Sequence, residues 1–407
     1  ALPAGARLHL LPHSRGGLGA ESLARACAPG AKAELAAFKG KGYATHRAEL
    51  RALVDEAQAK KLRVERVVRV ACPSRGTLLA SKRLDAYLSV LAWCLELAAI
   101  PAERCGVVLG AAIGQTTLDA GYEALTGPAA ARLPQLPVPR GMPSAAASHI
   151  AMAFGLHGPC FATASACASS AHAIGLAARM VQDGRLDLAV CGGSDASICV
   201  GYLKAWDALR VLSADACRPF SRDRSGLVIG EAAGILVLEP WERARARGAV
   251  IHAEFLGCGM GADAGDLTAP SAAGAVRAMR AALDDAALAP EAVGYVNAHG
   301  TATRLNDRAE TQALQAVFGA HLPRLPVSSS KSLHGHCLNA AGGLEAVVTA
   351  LALREGLLPP TLGFRAEDPD CALDCVPNEA RRAGIGVALS NSFAFGGLNA
   401  VLALGAA

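Results

Sequence analysis

Aromatic residues make up only 4% of this chain and charged residues 18%, too little charge for a solvated, disordered protein. A formal net charge of +4 over 407 residues, without a long run of Lys or Arg, gives no reason to expect nucleic acid as a partner. Long apolar runs are missing too. The richest, residues 229–238, is interrupted by Gly230, Glu231 and Gly234, so no membrane span is expected. Residues 8–11 are too brief for a secretory h-region. Thirteen cysteines are present, but none forms a Cys-x-x-Cys pair, which argues against a zinc site or a disulfide framework. Reduced thiols in a cytoplasmic protein are the expectation.

What the chain does have is small and apolar: 52% hydrophobic residues and 43 glycines, the composition of a tightly packed α/β protein. Its length predicts two large lobes, and we place the boundary in the basic helical link 241–248, giving lobes 1–247 and 248–407. Residues 7–11 and 64–71 read as strands, 46–61 and 83–100 as helices, and the proline-rich 127–142 as an irregular excursion. Residues 104–110 and 186–191 read as buried parallel strands. Between them lies a strand-like lead-in, 158–162, and a helix. That is a βαβ unit. Residues 227–238 read as a core strand broken by glycines. In the second half, strands are expected at 251–259, 293–298, 387–391 and 399–404, and helices at 272–286, 307–318 and 340–355.

The chemistry centres on residues 163–170, Thr-Ala-Ser-Ala-Cys-Ala-Ser-Ser. Cys167 falls at a helix N-terminus, where unpaired N–H groups and the helix dipole favour a thiolate, the reactive form. A buried structural thiol is the other reading of such a residue. His299 follows a strand's carboxyl end, where open α/β sheets put their ligands, with hydroxyls at Thr301 and Thr303. His336 follows Lys331 in a loop ahead of a helix carrying Glu345, which is placed to pair with Lys331. His334 reads as an ordinary core histidine. Gly396 and Gly397 after Phe395 permit a tight bend that can turn an amide toward a carbonyl oxygen.

Four motifs, Thr-Ala-Ser-Ala-Cys-Ala-Ser-Ser, Asn-Ala-His-Gly-Thr-Ala-Thr (297–303), Lys-Ser-Leu-His-Gly-His (331–336) and Asn-Ser-Phe-Ala-Phe-Gly-Gly (391–397), occur in the order and spacing of one family, with Arg-Pro-Phe-Ser-Arg-Asp (218–223) between them. From about residue 104 onward the chain resembles the elongating β-ketoacyl-acyl carrier protein synthases of the thiolase-like superfamily. The resemblance implies an α/β, five-layer αβαβα fold of two similar lobes, a dimer, and acyl and malonyl groups delivered on the phosphopantetheine arm of an acyl carrier protein. It implies Cys167 as nucleophile and His299 and His336 as the pair serving decarboxylative condensation. Lys331 and Glu345 match a supporting ion pair, and Asp307 and Glu310 match acidic positions. Thr268, Thr301 and Thr303 match pantetheine contacts, and Phe395 matches a gate whose N–H joins that of Cys167 in an oxyanion hole. Arg210 and, more weakly, Lys204 match carrier-protein contacts. No metal or redox cofactor is implied.

The chain also departs from the family. The Thr-Gly-x-Gly turn of the N-terminal strand is missing, Gly265-Asp266 replaces an aromatic and a histidine, Ala394 a glycine, and Leu398 a threonine. These changes bear on chain length and gate mobility, and point to fatty acid or specialised polyketide or polyene elongation, the specialised pathway being favoured. The rival reading is a non-catalytic chain-length partner in a heterodimer, which characteristically lacks the nucleophile. A thiolase would need a second cysteine within 391–399, where none occurs.

Overall fold

The computed structural model describes residues 7–10, 55, 63–67, 100–111, 114–126 and 136–407. The chain forms two compact units, Ala1–Ser89 and Val90–Ala407. In the first, strands β1 (Arg7–Leu10) and β2 (Arg63–Val67) pair in parallel. Of the helices expected over 46–61 and 83–100 only Asp55, which is helical, and Ile100, which is not, are described, and most of the proline-rich 127–142 lies outside the described residues. Of that last segment, Pro137–Gly141 is a short helix opening on proline, where irregular chain was expected.

Among the described residues the second unit holds two larger sheets and one two-stranded pair. One is formed by β3 (Cys105–Gly110), β4 (Cys160–Thr163), β5 (Leu188–Asp195) and β6 (Ala232–Leu238), in the order β4-β3-β5-β6. The first three strands run parallel and β6 runs antiparallel to β5. The other sheet contains β7 (Glu254–Ala262), β8 (Tyr295–Asn297) and β9 (Val327–Ser328). A two-stranded antiparallel pair, β10 (Leu357–Leu358) and β11 (Arg381–Arg382), stands apart. β12 (Val387–Ala394) and β13 (Leu398–Gly405) complete the larger sheet in the order β7-β13-β12-β8-β9.

Helices α1 (Ala145–Phe154), α2 (Ser169–Gln182), α3 (Val200–Ala208), α4 (Ala272–Asp285), α5 (Arg304–Phe318) and α6 (Ala341–Glu355) surround and separate the sheets. α2 and α6 pack on each other and touch both sheets, α1 covers the far side of the smaller sheet, and α4 and α5 cover the far side of the larger one. The result is five layers, α-β-α-β-α. Small residues make the middle layer thin: a Cβ at Gly110 would run into the Ser170 backbone, and one at Gly234 into the Gly343–Leu344 backbone. The alanine and glycine content thus serves close helix-on-sheet approach.

The strand expected over 227–238 starts only at Ala232. Before it, Leu227 and Ile229 make single bridges to Leu212 and His336. Gly226 and Gly230 flank these bridges, and glycines do not sustain a regular ladder.

Candidate active site

Each of the four motifs follows the carboxyl end of a strand. Thr163 ends β4 ahead of Cys167, Asn297 ends β8 ahead of His299, Ser328 ends β9 ahead of Lys331, and Ala394 ends β12 ahead of Phe395. β8, β9 and β12 are mutually parallel, so their three loops emerge on one edge of the sheet. A cavity of about 380 Å³ at this edge is lined by Cys167, His299, His336 and Phe395, and also by Thr268, Thr301, Thr303 and Arg210.

Cys167 does not occupy the first turn of α2. It sits in a 3-10 turn, Ala166–Ala168, with Ala166 left-handed at φ 48°. The turn is held by Ser169, whose Oγ accepts from the Ser165 N–H at 2.8 Å and lies 2.6 Å from the Ala166 carbonyl and 3.0 Å from Asn339 Oδ1. The expectation of a resting thiolate is not met. Burial pushes the Cys167 thiol up to about 12, and the opposing charge of Lys331 does not offset it. Taking a bare thiolate out of water costs more than a nearby cation and a helix end return.

His299 is fixed from behind. Glu310, buried on α5, accepts from the backbone N–H groups of His299 and Gly300, both at 2.8 Å, and from Asn391 Nδ2 at 3.1 Å. Lys331 Nζ lies 3.3 Å from His299 Nδ1 and pairs with Glu345, both members of that pair being buried. An ammonium can only donate, so Nδ1 accepts and the ring proton resides on Nε2. His336 is seated by the bridge to Ile229: its N–H donates to the Val228 carbonyl at 2.6 Å and its carbonyl accepts from Gly230 N–H at 2.9 Å. The two rings meet edge to face with centroids 5.3 Å apart. Burial, then the charge of Lys331, holds both imidazoles well below the ordinary value of 6.5, so both are neutral near pH 7. Burial likewise raises the carboxyls of Glu345 and Glu310, and Asp307 is pushed up to about 7 although it accepts from Phe220 N–H at 2.8 Å.

Lys331, Glu345, Asp307 and Glu310 do not reach the cavity; they lie beneath its floor. Thr301 and Thr303 face each other across 2.9 Å, and Thr268 Oγ1 donates to Asp266 at 3.0 Å. Lys204 is exposed and near Asp207, outside the cavity lining, whereas Arg210 lines it. His334 also stays out of the lining and bonds Ser330 Oγ at 3.1 Å. Sequence reading missed Trp206, Arg304 and the Asn399–Asp263 bond of 2.7 Å that ties the start of β13 to the loop after β7. Only the position of Asn399, just beyond a glycine turn already singled out, hinted at the last of these.

Two family models match the chain, the β-ketoacyl synthase N-terminal domain over residues 83–244 and its C-terminal domain over residues 252–365. Nodulation protein E of Rhizobium sp. (strain N33) is 50% identical over 303 residues, 74% of this chain and 75% of that protein. A 3-oxoacyl-[acyl-carrier-protein] synthase 2 of Staphylococcus aureus is 43% identical over 309 residues, 74% and 77% of the two chains. Among solved structures, a type II polyketide synthase ketosynthase, in complex with its acyl carrier protein and bound to the hexaketide, superposes with a TM-score of 0.72 at 32% identity, over 76% of this chain and 79% of that one.

Proposed function

The chain belongs to the β-ketoacyl synthase family, and from that premise we propose how its own residues divide the work. The reaction is decarboxylative Claisen condensation of an acyl thioester with malonyl-acyl carrier protein, giving a β-ketoacyl-acyl carrier protein and CO2. One observation carries the assignment of roles: Cys167, His299 and His336, drawn from both sheets, line one cavity with Phe395 in its wall.

Cys167 Sγ attacks the acyl thioester, the carrier's thiol leaves, and the acyl group remains on the enzyme. Because the resting residue is a thiol, its proton is lost as sulfur attacks and ends on the departing carrier sulfur, so loading consumes no base. When the malonyl thioester loses CO2, negative charge builds on its carbonyl oxygen. The Nε2–H of His299, set by Lys331, and the ring of His336 donate to that oxygen. The carbanion equivalent then attacks the acyl carbonyl on Cys167, the backbone N–H groups of Cys167 and Phe395 hold the tetrahedral oxyanion, and its collapse frees the sulfur. Thr268, Thr301 and Thr303 bind the pantetheine arm, and Arg210 meets the acidic carrier protein.

The protein acts as a dimer, with itself or with a related chain. Strand β4, at the edge of its sheet with Phe161 exposed, is the supporting feature. The presence of Cys167 in the cavity counts against a non-catalytic chain-length partner. We keep the lobe boundary at 247/248, since β6 ends at Leu238 and β7 starts at Glu254. Among the described residues no helix is long and apolar enough to cross a membrane, and none of the ten described cysteines is in a disulfide. A reducing, cytoplasmic setting accords with the second point. The test is incubation with a panel of acyl-carrier proteins, reading the mass added at Cys167 and the decarboxylation of malonyl-carrier protein. Absence of both would end this reading.

A further inference from the structure

One large ring in the cavity wall belongs to none of the four motifs. Trp206 is the one buried residue of α3. Its indole stacks on the Phe395 ring, with centroids 5.9 Å apart and planes 23° from parallel, within the range of offset aromatic pairs. Behind the indole, Tyr202, one turn earlier on α3, meets it edge-on at 6.1 Å, and Leu227 and Leu338 pack in the same cluster. The indole is therefore clamped. Phe395 is not: it is 37% exposed and is followed by two left-handed glycines, Gly396 at φ 82° and Gly397 at φ 66°. A movable ring thus rests on a fixed one, in the cavity that also contains Cys167.

We propose that Trp206 is a positioning residue that seats Phe395, so that the strength of this stack sets how often Cys167 can be reached. The inference rests on reading Cys167 as the nucleophile and Phe395 as its gate. Removing the stack should shift the ratio of seated to displaced Phe395 by roughly 2- to 12-fold, the size of a typical aromatic pair.

The experiment measures carbamidomethylation of Cys167 by iodoacetamide, followed by peptide mass at one pH. Trp206→Leu should react roughly 2- to 12-fold faster than wild type, while Trp206→Phe, which keeps a stacking ring, should stay within about 2-fold. The double variant Trp206→Leu/Phe395→Ala should react no faster than Phe395→Ala alone, because both changes remove the same contact. Rates that multiply in the double variant would overturn the proposal. A second measurement leaves Trp206 in place and so survives misfolding of Trp206→Leu. Trp206 is one of three tryptophans, and its emission is the difference between wild type and Trp206→Phe. Phe395→Ala should shift that emission to the red as the indole meets water, and an unchanged spectrum would also overturn the proposal. Neither readout depends on turnover. Loss of condensation alongside a non-multiplying cycle would sink the catalytic reading alone, and intact condensation with multiplying rates would sink the gate seat alone.

Discussion

At and beneath the floor of the cavity Lys331, Glu345, Glu310 and the two imidazoles are buried, His299 bonded to Glu310 and Lys331 and stacked edge to face on His336, whereas at its mouth Phe395, Leu267 and Thr268 sit on exposed turns. The floor is stiff where Glu310 holds the His299 and Gly300 amides and Lys331 pairs with Glu345 away from water, since breaking such a buried bond is costly. The mouth is held by far less: the Gly396 N–H donates to the Leu267 carbonyl at 2.7 Å and Asn399 binds Asp263. Chemistry that stabilises charge needs donors held in place, and admitting a long pantetheine arm needs a wall that moves. On the proposed roles of the two histidines and Phe395, the two regions answer these opposite demands.

The largest effect that would test this contrast is at the sulfur. Cys167→Ala should abolish acyl loading, read as loss of the mass shift, while His336→Ala should load normally and lose roughly 10²- to 10³-fold in malonyl decarboxylation, the usual consequence of removing one oxyanion donor. Equal loss of loading in both variants would mean the roles are misassigned.

Beneath the floor, Glu345→Ala strands the buried Lys331 ammonium and should lower stability by about 3–5 kcal/mol in urea unfolding, with Glu345→Gln losing less because it keeps an acceptor. A loss below about 1 kcal/mol would show the floor to be looser than its bonding implies.

Two titrations sharpen the comparison further. His299 and His336 have folded values below 6.5, so below that pH the unfolded chain binds more protons than the folded one. Their contribution is complete above 6.5, and stability should fall as pH drops below it. Cys167 is raised from 9.0 to about 12, so its alkylation rate should keep climbing beyond pH 9, where an unperturbed thiol levels off. The smallest effect belongs to the mouth. Arg210→Ala should raise KM for acyl-carrier protein by roughly 2- to 5-fold with kcat unchanged, and the difference should shrink at high salt.

The site was legible where chemistry constrains a short string of residues. Cys167, His299, Lys331, His336 and Phe395 stand within motifs whose small neighbours and glycines leave few alternatives, and strand patterns preceded three of the four motifs, the two-residue β9 ahead of Lys331 being too short to read. The ionisation of Cys167 was not legible, because a helix start can be read from local sequence while the depth of burial depends on α6 and the larger sheet. Trp206 escaped because its partner is almost two hundred positions away and nothing in the pattern of α3 announces a stacked ring. The division of 227–238 into bridges and a strand likewise depended on His336, a distant partner.

By itself the sequence determined the reaction type, the order of strands and helices around the motifs, and the identity of the groups that line one cavity, since each follows from residue types and near neighbours along the chain. Only the tertiary structure decided that burial raises the Cys167 thiol, that it lowers both imidazoles and leaves Nδ1 of His299 facing Lys331, and that an indole stacks on Phe395. Those properties depend on how completely water is excluded and on which distant groups fill its place, and both are set by packing between segments far apart in the chain.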